Sequence, residues 1–394
     1  MSAGQQFTRS VDAFGSPEIG LEQLPPSPPT TVAVIEGIAT GAPRRVVSQA
    51  AAANHVAEMF DLGSEQRVRV ARVFEKTRVD TRRMAVDPTD PDFDAFRRRP
   101  GTIRERMNLF YDLAVPLAVE VAGRALAGLA DGVDEIGLLV FVTSTGLIAP
   151  GVDVALVKQL GLPSSVSRVV VNFMGCAAAM NGLRTATDYV RSHPGRKALV
   201  VCIELCSVNA VFADDINDVI ISSLFGDGCA AVVVGAGQVL YPLTPGKVVI
   251  RDTFSRLLDG AEDGIVLGVN HNGVTCELSE NLPSYIYEGV APVIAEVLAN
   301  NGLQKSDVAL WAIHPGGPKI IEQSARSLGI PAQAAAASWD VLARYGNMLS
   351  VSLLFVLESV VAQSDSTEQL STGVAFSFAP GVAVEGMLFD IVRQ

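Results

Sequence analysis

The stretch 168-RVVVNFMGCAAAMNGLRTATDYV-190 decides the fold. Arg168 to Phe173 form an apolar, β-branched run of strand length, and Gly175 interrupts it. From Ala177 onward, small and apolar residues make a helix. The spacing therefore predicts a strand that turns through Gly175-Cys176 directly into a helix. Unpaired N–H groups and the positive end of a helix stabilise a thiolate, so Cys176 is expected to have a lowered pKa. Gly175 and the run Ala177-Ala178-Ala179 leave room for a thioester to approach the backbone. The competing reading is a buried, inert cysteine. That reading suits Cys202, Cys206 and Cys229, which lie among aliphatic strand residues.

Working outward, the same order of elements occurs twice. A helix at 114-AVPLAVEVAGRALAGL-129 leads into a strand at 136-IGLLVFVTST-145, and a helix at 291-APVIAEVLANNGL-303 leads into 308-VALWAIHP-315. The helix after Cys176 has its counterpart in 348-MLSVSLLFVLESVV-361, opened by Gly346-Asn347. Two strands follow each, at 197–205 and 229–235, then at 372–378 and 382–391. This alternation implies an α/β fold with mostly buried strands. Two halves packed face to face would put Cys176 and Asn347 in related central positions. The expected organisation is a Pro-rich flexible arm over 1–30, ending in 24-LPPSPP-29, then halves at 31–245 and 246–394.

Composition narrows the function. At 394 residues, 49% apolar and 18% charged, the chain can bury a large core. No apolar run reaches the about 20 residues of a membrane span. The net charge of −12 disfavours binding to nucleic acid or an anionic membrane. Five cysteines without CxxC spacing, and a start lacking an apolar signal core, point to free thiols in the cytoplasm and to no metal site. Arginines cluster locally at Arg67 to Arg83 and Arg97 to Arg106, either as a solvated helix face or as an anion site.

Two further residues stand at element ends. His314 closes a strand before Pro315-Gly316-Gly317, at the strand edge where α/β active sites open. Asn347 precedes a helix, where an N-cap role alone would account for it. The strings 172-NFMGCAAAMNGL-183, 224-LFGDGCAAVVVG-235, 311-WAIHPGGPKI-320, 345-YGNMLS-350 and 378-FAPGVAVEG-386 resemble, in order and spacing, the type III polyketide synthases of the chalcone synthase superfamily. The likeness is strongest to mycobacterial long-chain alkylpyrone synthases and runs from about residue 31 to the end.

This resemblance implies a thiolase-like αβαβα five-layer fold, a homodimer, acyl-CoA and malonyl-CoA as substrates, and no metal or redox cofactor. It implies Cys176 as acyl carrier, His314 and Asn347 as its catalytic partners, and Phe225 as a gate between coenzyme tunnel and cavity. It places Arg69, Arg72 and Lys76 at the coenzyme A phosphates, and Ser144, Thr145, Ala149, Cys206, Gly268, Cys276 and Leu349 at the substrate cavity. Protonated His314 would pair with the Cys176 thiolate, and both His314 and the Asn347 amide would donate to the enolate left by malonyl decarboxylation. The chain departs from plant members at Ser377 and Ala379, where glycines are usual, and has small Cys276 and Ala149 where bulkier side chains are usual. Added apolar volume suits a long acyl starter, each buried methylene contributing about 0.8 kcal/mol. The expected products are tri- or tetraketide alkyl α-pyrones. A ketoacyl-carrier-protein synthase III of fatty acid synthesis shares the trio and is the alternative; its acidic carrier protein and the Pro-Gly tail speak against it. A hydroxymethylglutaryl-CoA synthase would need a glutamate base, for which the sequence offers no obvious candidate, and a silent scaffold would not need the trio.

Overall fold

The computed structural model describes residues 31–59, 63–87, 101–129, 132–209, 223–238, 247–270, 273–363 and 370–392. The arm over 1–30, Arg97 to Arg99 and the expected boundary at 245/246 lie outside the described residues.

The first half contains β1 (Thr31–Gly41), the short antiparallel pair β2 (Val46–Ser48) and β3 (Thr81–Arg83), β4 (Ile136–Thr143), β5 (Ser167–Asn172), β6 (Lys197–Leu205) and β7 (Asp227–Gln238). The second contains β8 (Val248–Leu257), β9 (Ile265–Asn270), β10 (Gly273–Leu278), β11 (Val308–Ile313), β12 (Leu370–Ala379) and β13 (Ala383–Val392). One nine-stranded sheet runs β11-β12-β13-β8-β1-β7-β6-β4-β5. From its centre outward the two halves follow one pattern. β1 and β8 each pair antiparallel with a partner, β7 or β13, which pairs antiparallel with β6 or β12, which pairs parallel with β4 or β11. The halves join where β1 meets β8, Ala33 opposite Ile250, Val34 opposite Val249 and Ile35 opposite Val248. The repeat read from hydrophobic pattern is therefore a repeat of topology.

Strand periodicity explains the layers. In β4, Leu138, Val140 and Val142 pack with the central helices Ala178–Ser192 and Ser352–Gln363. Leu139 and Phe141 pack on the other side with the helix Ile103–Leu126. In the second half, Trp311, Ile313, Val374 and Phe376 face the outer helix Leu282–Asn300. Helix, sheet, central helices, sheet and helix make five layers. The outer helix of the first half starts in a capping box: Glu105 N–H donates to Thr102 Oγ1 at 3.3 Å, and Thr102 N–H donates to the Glu105 carboxylate at 2.7 Å.

Three local expectations change. β5 forms the sheet edge and is largely exposed: Val169 is 37% and Val170 49% exposed, and of its valines Val171 alone packs on the central core. The second central helix starts at Ser352, after a turn at Leu349–Val351, so Asn347 is no helix cap. Cys206 is not a strand residue; it opens the turn Cys206–Asn209 after β6. Among the described residues no helix is long and apolar enough to cross a membrane.

Candidate active site

Cys176 sits in a single turn, Gly175–Ala177, ahead of the first central helix. Both halves hold that turn. Gly175 N–H donates to Ser144 Oγ at 3.2 Å, from the loop after β4. Ser377 Oγ, on β12, donates to the Cys176 carbonyl at 2.9 Å. Behind them, Ala177 packs with Ala379 and Ala383, so the altered tail motif at 377–381 supports the nucleophile directly.

Asn347 arrives from the other half on a backbone that Gly346 allows. Gly346 has φ +69°, and a Cβ there would lie 2.5 Å from the Leu224 carbonyl oxygen. That carbonyl accepts Asn347 N–H at 2.8 Å, and Gly226 N–H donates to Asn347 O at 2.9 Å. Phe225 lies between these bonds in an isolated parallel bridge with Asn347. The amide's direction follows from its neighbours. Its Oδ1 accepts Leu349 N–H at 2.9 Å, and its Nδ2 donates to Gly316 O at 3.3 Å. The second Nδ2 hydrogen is directed at Cys176 Sγ, 3.9 Å away.

His314 follows β11, and its backbone N–H donates to Phe376 O at 3.0 Å. Its ring is 1% exposed, and neither ring nitrogen has a hydrogen-bond partner among the described residues. A buried imidazole kept without partners has both nitrogens available to a reacting group. Burial pushes His314 down to about 3. Burial, with Cys276 and Glu204 adding repulsion and the Asn347 amide opposing them, pushes the Cys176 thiol well up. The direction is opposite to the expected lowering, with desolvation of the partly buried sulfur as its largest cause. Burial disfavours both a lone thiolate at Cys176 and a lone imidazolium at His314.

Leu224, Phe225 and Leu349 form an apolar wall against which Cys176, Cys206 and Cys276 pack. Burial pushes Cys276 up to about 11. Gly268 faces Cys276's neighbour Thr275 across the β9–β10 hairpin. Ser144 and Thr145 are buried, and the Ser144 hydroxyl accepts from the nucleophile turn. Ala149 is exposed in the loop after β4. Arg69, Arg72 and Lys76 share the exposed side of the helix Ser64–Lys76, whose buried side carries Val70 and Phe74. Arg69 pairs with Glu65 at 2.8 Å, both largely exposed, which contributes little.

Two buried charges escape the sequence reading. Glu204, 0% exposed on β6, accepts from Ser144 N–H (3.0 Å), Thr145 Oγ1 (2.8 Å) and Ser350 Oγ (2.6 Å), tying the two halves beneath the site. Burial pushes it up to about 7 against those donors. Arg82, 1% exposed, donates from Nη1 to Phe225 O at 3.0 Å, and burial lowers it to about 10 with Asp227 opposing. A lone carboxylate inside the apolar strand 197-KALVVCIEL-205 was the one available signal, since a buried charge must be partnered. Nothing in the string around Arg82 carried such a signal.

The sequence matches the N-terminal domain of chalcone and stilbene synthases over residues 28–238 and their C-terminal domain over 250–393. It is 73% identical over 377 residues to the alpha-pyrone synthesis polyketide synthase-like Pks18 of Mycobacterium tuberculosis, covering 96% of each chain. Among solved structures, a polyketide synthase, PKS-I, of the brown alga Ectocarpus siliculosus is 40% identical, with a TM-score of 0.84 over 93% of this chain and 99% of that one. The C-terminal type III polyketide synthase domain of Steely1 from Dictyostelium is 30% identical, with a TM-score of 0.83 over 92% and 99%.

Two outcomes follow from the site's geometry. Gly346→Ala forces a Cβ onto the Leu224 carbonyl that holds Asn347, so kcat should fall at least tenfold with the fold intact by circular dichroism. Gly302→Ala, at φ +68° with open space around it, should leave kcat unchanged. In His314→Gln the buried thiol keeps its proton at neutral pH. Iodoacetamide should then label Cys176 more slowly than in wild type at pH 7, recovering only as pH rises; equal rates across pH would show that the imidazole does not take the proton.

Proposed function

This chain belongs to the chalcone and stilbene synthase family of type III polyketide synthases, and we propose that it extends a medium- or long-chain acyl group, carried on Cys176, with malonyl-CoA and releases alkyl α-pyrones. The observation that carries this is the convergence, from opposite halves, of Cys176 and the Asn347 amide, which gives one hydrogen to Gly316 O and directs the other at the sulfur.

The steps follow from the side chains. His314 takes the thiol proton as Cys176 Sγ attacks the starter's thioester carbonyl; the C–S bond to coenzyme A breaks, and the coenzyme's thiol leaves with that proton. Malonyl-CoA then loses carbon dioxide, and its C–C bonding pair becomes an enolate. His314 and the second Asn347 Nδ2 hydrogen donate to the enolate oxygen, where charge develops. Removing one such donor from a dry site typically costs 10²–10³ in rate, about 3–4 kcal/mol. The enolate carbon attacks the Cys176 thioester carbonyl and expels the Cys176 thiolate, leaving the chain, two carbons longer, as a thioester of coenzyme A. The thiolate attacks that thioester to reload the chain, and the coenzyme leaves as its thiol with a proton from solvent. After two or three rounds, an enol oxygen of the polyketide attacks its own thioester carbonyl and closes the lactone, and the expelled thiol sulfur takes the enol proton.

Phe225 is the gate in this reading, because its backbone is fixed by Arg82 on one side and Asn347 on the other. Arg69, Arg72 and Lys76 hold the coenzyme phosphates. Small Cys276 and Cys206, with Leu349, leave the cavity room for an alkyl chain. The relative's name supports an α-pyrone product. The enzyme works as a cytoplasmic homodimer: β5 is an unpaired sheet edge with Val169 and Val170 exposed, a surface that an edge strand rarely leaves uncovered. In the dimer Ala149, exposed in this chain, borders the partner's cavity. The halves at 31–245 and 246–394 form one catalytic unit, since each supplies part of the site.

Mass spectrometry of products from malonyl-CoA and acyl-CoA starters of increasing length tests the reading. Tri- and tetraketide pyrones should dominate with long starters and vanish in Cys176→Ala. Single-condensation products, or activity only with acyl carrier protein, would overturn it. Val170→Lys should convert a dimer to a monomer in light scattering; a monomeric wild type would refute the dimer.

A further inference from the structure

Gln49 opens the helix Gln49–Met59 and is 7% exposed. Its side-chain nitrogen lies 2.8 Å from Thr77 Oγ1, 2.7 Å from the Ser223 carbonyl and 3.3 Å from the Phe74 carbonyl. The Thr77 hydroxyl gives its own hydrogen to Phe74 O at 2.6 Å, so toward Gln49 it can only accept. A carboxamide has two hydrogens. One meets Thr77 and the other meets Ser223, while the carbonyl end of Gln49 is buried without a partner among the described residues. Each of these three neighbours of that nitrogen is an acceptor, so the position demands a donor.

The two anchors belong to different parts of the site. Phe74 and Thr77 end the helix Ser64–Lys76 that carries Arg69, Arg72 and Lys76. Ser223, 174 residues away in sequence from Gln49, leads straight into Leu224, which holds Asn347, and into Phe225. Gln49 N–H also donates to Asp80 O at 2.9 Å, and Asp80 N–H donates to Ala343 O at 2.7 Å, just ahead of Gly346. One buried side chain thus spans the cationic helix and the segment that sets Phe225 and Asn347.

We propose that Gln49 is a positioning residue that clamps the coenzyme-binding helix to the gate, so that the seating of coenzyme A and the setting of Phe225 are coupled. It touches neither substrate nor reacting atoms. The proposal rests on the reading of Phe225 as gate and of the helix as coenzyme site.

A double-mutant cycle tests it. Gln49→Met keeps the side chain's length and removes both donors; Phe225→Ala removes the gate. The readouts are the long- to short-starter ratio of kcat/KM, the partition between pyrone and hydrolysed starter, and hydrogen exchange in the peptide over 223–227. Phe225→Ala should shift the starter ratio and the partition. Gln49→Met should shift both in the same direction, by about tenfold, the size expected when a buried carbonyl loses its donor. It should also speed exchange at 223–227, and in the Phe225→Ala background it should add nothing to the partition. If Gln49→Met does not fold, Thr77→Val removes the helix-side anchor and should give a smaller shift of the same sign. If Phe225→Ala shifts the partition and the clamp variants do not, or if the effects simply add, the clamp is wrong and the gate stands. If Phe225→Ala shifts nothing, the gate reading falls and the clamp with it.

Discussion

The short antiparallel contact of β1 with β8 is the constraint on which the molecule depends. Through Ala33, Val34 and Ile35 it makes two repeated halves into one sheet. With both halves wrapped over shared central helices, the turn ahead of one helix and the turn ahead of the other must meet. Cys176 lies in the first of those turns and Asn347 leads into the second. Neither half contains a site by itself: Ser377 from the second half holds the Cys176 carbonyl, and Leu224 from the first holds the Asn347 amide. The pairing of halves is therefore both the folding solution and the assembly of the chemistry.

The dryness of the meeting point sets how the chemistry begins. A helix end is an ordinary means of lowering a thiol's pKa, and the sequence around Cys176 supplies one. Enclosure against Leu224, Phe225 and Leu349 works in the opposite direction for the thiol, and burial does the same for the imidazole. In the proposed mechanism charge then appears as a pair, by transfer of one proton between sulfur and ring. In the same proposal a malonyl enolate gains from that enclosure, because the Asn347 amide and the His314 imidazole would act on it with little competition from water.

Much of this was legible in the sequence because the signals are local. Apolar runs such as 136-IGLLVFVT-143 become strands with alternate faces to the two core layers, and Gly-Cys and Gly-Asn mark the turns. What was illegible depends on distant partners. The exposed edge at Val169 and Val170 reads like any buried strand until its place in the sheet is known. Asn347 reads as a helix cap until Leu349 and Gly316 are seen to fix its amide. The role of Arg82 is set by Phe225, far away in sequence, and only the lone carboxylate of Glu204 announced that a buried network existed.

The central claim is that Cys176 carries the growing chain between loading and extension. Intact-protein mass spectrometry in a pulse and chase tests it most directly. A pulse of long-chain acyl-CoA should add one acyl mass, located on the Cys176 peptide, and a chase with malonyl-CoA should discharge it while a pyrone containing that same starter appears. An adduct on another residue, or an acyl group on Cys176 that malonyl-CoA leaves in place, would contradict the account.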